Sequence, residues 1–112
     1  MLTEQPVLIT SINCLETAGL TKNHFVKFTG YGGAEGTKSL GVCNADTAFD
    51  EMMPVVCKGI ALVEAAEAIG VGIGVKAYDN GTAAICDVST KLEGYAMDAS
   101  ISAGQLIRIL LV

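Results

Sequence analysis

The sequence predicts an all-β fold: a small single-domain β-sandwich or barrel of about seven or eight short strands, with an extended N-terminal arm. Three observations predict it. Short β-branched apolar runs recur along the chain, separated by Gly, Asn, Asp and Ser turn signals about every 8–15 residues. The stretch "AIGVGIGVKAYDNGTAAI" (Ala68–Ile85) alternates with period two and then reaches Asp-Asn-Gly, a strong hairpin signal. The composition is 51% hydrophobic but only 5% aromatic and 17% charged, with 13 glycines in 112 residues. That is the profile of a small-residue β domain or an oligomer subunit, not of a disordered chain. A chain of this length supports one core.

The elements follow in order. "PVLITSINC" (Pro6–Cys14) is β-branched and apolar, an extended arm or an edge strand, and Pro6 at its start fits either. Residues 1–19 are therefore an N-terminal arm or first strand, and residues 20–112 are the sandwich or barrel. "HFVKFTG" (His24–Gly30) reads as a strand, "YGGAEGTKS" as a flexible loop and "LGVCNA" as a short strand. "DTAFDEMM" is a polar link with room for one helical turn. "PVVCKGIALVEA" (Pro54–Ala65) reads as a long or bent strand with Gly59 as a bulge. Residues 60–69 are rich in Ala, Leu and Glu, so a short helix stays open there. However, a helix from Ile60 would line up Ile60, Val63, Glu64 and Glu67, a poor apolar stripe.

From Gly70 to Ala77 the odd positions are Val71, Ile73, Val75 and Ala77, and the even ones Gly70, Gly72, Gly74 and Lys76. One strand face is apolar and the other is bare backbone. Asp79-Asn80-Gly81 then turns the chain, so Thr82–Val88 is expected to pair on Val71–Tyr78. A phosphate-binding glycine loop needs a strand before it and a helix N-terminus after it. Here a strand contains the glycines and another strand follows, so a nucleotide site is not expected. Interior strand glycines mark a bend or the close approach of another backbone, which makes Gly72 and Gly74 candidate interface positions. "LIRILLV" (Leu106–Val112) is apolar on both faces except for Arg108, a strand that is central or covered by a neighbour.

The chemistry-bearing residues are sparse. Net charge is −5 and the seven basic residues are scattered, so no nucleic-acid partner is expected. No run of 18 apolar residues and no basic-apolar leader occurs, so no membrane partner or secretion is expected. Cys14, Cys43, Cys57 and Cys86 form no close pair, which points to reduced buried thiols with no metal and no cofactor. His24 sits in a strand-like run and makes a weak partner for a nucleophilic cysteine. Asp46, Asp50 and Glu51 cluster, as do Glu64 and Glu67, but such acids are ordinarily solvated loop and cap groups. A lipoyl- or biotinyl-type carrier needs lysine at the hairpin tip, whereas Lys76 lies three residues before Asp79. The expectation is therefore a non-enzyme.

The segments "LTKNHFVKFTG", "SLGVCNAD", "VVCKGIALVEAAEAIGVGIGVKAYDNGTAAI" and "LEGYAMDASISAGQLIRILLV" resemble the capsid decoration, or cement, proteins of tailed bacteriophages. The resemblance lies in a strand like Phe25–Phe28, an "LGV" strand like Leu40–Val42, and a "GIALVEA"-like strand. A hairpin like Gly72–Gly81, a Gly94–Asp98 segment and a C-terminal strand like Leu106–Val112 complete it. It runs from about Leu20 to the end, and Met1–Gly19 matches no fixed pattern. It implies a structural virion protein, made in the host cytoplasm, on the outer capsid surface. Its partner there would be the major capsid protein, and it would act as a homodimer or homotrimer that stabilises contacts between capsid subunits. The alternative is a cellular β-sandwich binding or carrier module. Under the cement reading, Val7, Leu8, Ile9 and Ile12 of the arm, with Gly72, Gly74 and Arg108, are the candidate capsid or subunit interface. The arm carries too many apolar groups for a free tail, and an extended segment can add to a neighbour's sheet edge.

Overall fold

The computed structural model describes residues 3–35, 37–86 and 91–112. Its strands are β1 (Gln5–Asn13), β2 (His24–Val26), β3 (Gly41–Cys43), β4 (Met52–Glu64), β5 (Gly74–Ala77), β6 (Ala83–Ile85), β7 (Gly94–Ala96) and β8 (Leu106–Leu111). They form one sheet in the order β2-β3-β4-β8-β7-β5-β6, with β1 also on β4. Every strand pair is antiparallel. A parallel bridge between Ala65 and Ala83 returns β6 to the end of β4, so the sheet curls into a nearly closed barrel. The Ala66 N–H donates to the Ala83 carbonyl at 2.7 Å to hold that closure.

β4 is the pivot. Val56 faces Ile9 on one side and Val42 on the other, and Ile60 faces Gln5 and Leu110. One edge of β4 thus carries β1, while the other carries β3 and then β8. A flat strand cannot serve two successive partners on one edge without bending. The register of β1 against β4 skips Val7 and then Cys57, and Gly59 opposite this irregularity adopts a φ of +102°. The bulge expected at Gly59 is therefore present and bends the strand. Residues 60–64 continue as strand and Ala65 bridges to Ala83: Ala61, Val63 and Ala65 are buried while Leu62 and Glu64 are half-exposed. Strand alternation outweighs the local helix propensity because the inward face fills the barrel.

Adjacent residues on three strands point to opposite sides and build two cores. Phe25, Val42 and Val56 enter the barrel interior, packed with Val63, Ile107 and Ile109. Their neighbours Val26, Cys43 and Val55 join Cys14 and Met53 in a second cluster outside it. Ala61, Ala65, Ala77, Ala83 and Ala96 line the interior, which is why a chain with so few aromatics can fill so narrow a barrel.

Three expectations need correcting. The strand through Gly70–Ala77 begins only at Gly74. Residues 70–73 form a turn in which the Ile73 N–H donates to the Gly70 carbonyl at 3.3 Å, and Gly72 takes a φ of +81°. Period-two spacing did not make a strand here because a glycine permits left-handed backbone that a β-branched residue resists. The strand read over His24–Gly30 ends at Val26. There the chain reverses: Lys27 N–H donates to Tyr31 O at 2.8 Å and Gly33 N–H to Phe25 O at 2.8 Å. The hairpin at Asp79-Asn80-Gly81 is present, with Asn80 at φ +63° and Gly81 at φ +77°. It pairs Val75, Lys76 and Ala77 with Ile85, Ala84 and Ala83. Its expected continuation through Asp87 and Val88 lies outside the described residues. The link "DTAFDEMM" (Asp46–Met53) contains no helical turn: Thr47 bridges to Leu20, turns and bends follow, and Met52 and Met53 already belong to β4.

Candidate docking surface

β1 is a strand of the protein's own sheet, hydrogen-bonded to β4, rather than a free arm. Its other edge has no partner strand among the described residues. None of its nine residues is charged. Val7 is 83% exposed, Leu8 52% and Ile9 47%, while Ile12 is half-buried against the second cluster. Protein edges are ordinarily protected by charge, proline or a bulge. Pro6 and the bulge at Val7 protect the start of β1, and the Gly30 turn packs against the Asn13 carbonyl at its end, so Leu8–Ile12 offers an open row of main-chain donors and acceptors.

The register joins this strand to Gly74. Gln5 pairs with Ile60, Ile60 with Leu110, Leu110 with Tyr95 and Tyr95 with Gly74. Their sequence neighbours Ala61, Ile109, Leu111, Ala96 and Val75 are buried, so this row of five residues faces outward across five strands. Tyr95 and Leu110 remain 43% and 46% exposed. Tyr95, Leu110 and Ile60 were not singled out from sequence. "LIRILLV" is apolar on both faces except for Arg108, so the sequence does not say which face is inward.

The remaining candidates separate. Gly72 is not on this row, and a Cβ there would meet nothing within 4 Å. The Ala96 backbone approaches on the amide side, where its carbonyl accepts the Gly72 N–H at 2.7 Å, but the side a Cβ would occupy is open, so what requires glycine within the fold is the positive φ. At Gly74 a Cβ would lie 2.7 Å from Leu92 Cδ1. Arg108 is held within the chain: Nε and the terminal nitrogen Nη2 each donate to Asp98 at 2.9 Å, and the backbone N–H donates at 3.0 Å. Those hydrogen bonds hold the Asp98 carboxyl down at about 2.

The acidic residues serve the turns. Asp46 Oδ1 accepts the Lys22 N–H at 3.0 Å, Glu51 Oε1 the Ala48 N–H at 2.8 Å and Glu67 Oε2 the Ile85 N–H at 2.9 Å. Asp50 sits in left-handed backbone at φ +66°. His24 Nε2 lies 3.4 Å from Glu64 Oε1. Lys76 lies in β5, 3.5 Å from Glu35, and not at the hairpin tip. Cys14 and Cys43 are buried, Cys57 and Cys86 partly so, and all four are free thiols. Burial pushes the Cys43 and Cys57 thiols up. Among the described residues no three His, Cys, Asp or Glu side chains are grouped to hold a metal.

A phage cement protein family model matches residues 5–111. The chain belongs to that family. The match starts within β1, further toward the N-terminus than the motifs from Leu20 onward imply. As a cement-family chain it is a phage structural protein. Comparison with curated proteins returns no match. Among solved structures, the chain is similar to the N base of the head fiber gp8.5 of bacteriophage phi29. The TM-score is 0.77, over 94% of this chain and 95% of that one. Identity is 19%, so that likeness speaks for the shared barrel and not for residue roles.

Proposed function

We propose that this cement-family chain binds the outer surface of a phage head and braces contacts between major capsid subunits. Its work is attachment rather than chemistry, performed as a homodimer or homotrimer. The observation that carries this reading is β1, a nine-residue uncharged edge strand with exposed Val7, Leu8 and Ile9. An edge of this kind pairs with an extended segment of a neighbour: main-chain hydrogen bonds give affinity and alternate side chains give fit. The outward row through Tyr95 and Leu110 adds apolar contact area beside it. The phi29 relative in fold is the base of a head fiber, which agrees with a place on a head. Repetition around a shell multiplies weak contacts through effective concentration.

The experiment mixes the purified chain with purified head shells of its phage, before and after expansion. Co-sedimentation with expanded shells and a higher shell melting temperature are expected. A chain that leaves both unchanged removes the reading. Sedimentation equilibrium of the free chain decides between monomer, dimer and trimer before docking.

A further inference from the structure

The hairpin turn that joins β5 to β6 contains Asn80-Gly81, the one place in the sequence where asparagine precedes glycine. Asn80 is exposed, whereas Gly81 is buried. The turn is clasped from within. Gly81 N–H donates to the Tyr78 carbonyl at 2.9 Å, Tyr78 N–H to the Thr82 carbonyl at 2.8 Å, and the Thr82 hydroxyl to the Asp79 carbonyl at 3.0 Å. It is also seated on β2: a Cβ at Gly81 would lie 2.5 Å from the Phe25 carbonyl oxygen and 3.0 Å from the Phe25 nitrogen. The strand that leaves the turn carries Ala83, whose carbonyl closes the barrel onto Ala66. The seat of the turn and the closure of the barrel are therefore one piece of structure.

We propose that Asn80-Gly81 is a self-modification site, a deamidation that the closed turn holds off and that opening of the turn releases. The Gly81 backbone nitrogen attacks the Asn80 side-chain carbonyl carbon, loses its proton and expels the amide nitrogen as ammonia. Water then opens the five-membered imide. Hydrolysis at the side-chain carbonyl gives aspartate, and hydrolysis at the backbone carbonyl gives isoaspartate, whose chain runs through the former side chain. Glycine favours the attack because it has no side chain to shield its nitrogen. Ring closure needs that nitrogen eclipsed with the Asn80 Cβ about the Cα–C bond. Asn80 has φ 63° and ψ 16°, which turns the nitrogen far from the Cβ, and the bond to Tyr78 occupies its hydrogen. The native turn is thus unreactive, and conversion proceeds through local opening. Isoaspartate inserts an extra backbone carbon where Gly81 has no room against Phe25. The converted turn does not reseat, and the barrel closure weakens. The chemistry needs no docked partner.

The test incubates the full chain in mildly alkaline buffer, folded and in guanidinium chloride, and maps the products by mass spectrometry with enzymatic methyl-labelling of isoaspartate. Conversion at Asn80 is expected in both, at least about tenfold slower in the folded chain because the turn must open first. Thr82→Ala removes one clasp and should speed conversion of the folded chain about fivefold, the worth of one hydrogen bond, with no change in guanidinium. Chains that carry isoaspartate should melt below fresh chains. Asn80→Gly keeps the left-handed turn but has no amide to lose, so it should melt unchanged after the same incubation. The proposal is overturned if Asn80 stays intact in guanidinium, if folded and unfolded chains convert equally, if Thr82→Ala converts at the wild-type rate, or if isoaspartate-bearing chains melt like fresh ones.

Discussion

Arg108 holds Asp98 through three nitrogens, two from the guanidinium and one from its own backbone, all at 2.9–3.0 Å. The contact ties β8 to the segment that follows β7. The Asp98 carboxyl falls from 3.8 to about 2 because of these hydrogen bonds. A depressed carboxyl contributes stability that is present above its unfolded value and is lost as pH falls through the folded one. Asp98→Asn should therefore melt below the wild type at pH 7. That gap should shrink as pH drops from 3.8 toward about 2. Melting curves of both proteins at pH 7, 4 and 2 check this, and a gap independent of pH contradicts it.

Glu93 and Lys38 predict an asymmetry. Glu93 is buried while Lys38 is half-exposed. Lys38→Met leaves a buried carboxylate with a single backbone donor, at a cost of about 3 kcal/mol. Glu93→Gln keeps an acceptor for Ser39 and frees a lysine that water can reach, at about 1 kcal/mol. Urea denaturation midpoints of the two variants decide the order.

The two glycines singled out from sequence should behave differently. Gly72 meets open space but has a φ of +81°. Gly72→Ala should cost about 1–2 kcal/mol from backbone strain alone. Gly74→Ala clashes with the end of Leu92, which can change rotamer, and makes ordinary contacts with Tyr95 and the Gly94 carbonyl, and a strand gains from replacing glycine. Its stability should stay within about 1 kcal/mol of the wild type. Thermal melts of both variants test this, and equal losses would refute it.

Much of the barrel was legible because its signals are local. Asp79-Asn80-Gly81 carries its own turn chemistry, and "LIRILLV" is an apolar run, broken only by Arg108, of the kind a covered strand shows. Gly59 announced the bend of β4. What was not legible depends on which strand lies beside which. Gly70–Ile73 has strand spacing, yet the Gly72 N–H bonds to Ala96 at 2.7 Å and the chain turns there. The row from Gln5 to Gly74 exists only through four strand pairings that span the chain. Glu93 was not among the acids singled out from sequence. Its burial follows from Ser39, 54 positions away.

The last prediction concerns β1 and separates folding from docking. Deleting residues 1–19 is not a clean test, because β1 covers an edge of β4. The deletion also removes Cys14, which is fully buried and whose carbonyl accepts the Asp50 N–H at 2.8 Å. That truncation should melt well below the wild type. Charge on the open side is the sharper probe. Val7 and Ile9 lie on the exposed part of β1, and lysine is the residue natural edge strands use to refuse a partner strand. Each substitution, Val7→Lys or Ile9→Lys, should leave stability within about 0.5 kcal/mol, as for ordinary surface changes. The double variant should nevertheless lose co-sedimentation with expanded head shells and should no longer raise their melting temperature. A double variant that folds and still binds shells with full affinity would show that docking uses another face, and the row through Tyr95 and Leu110 would be the next to charge.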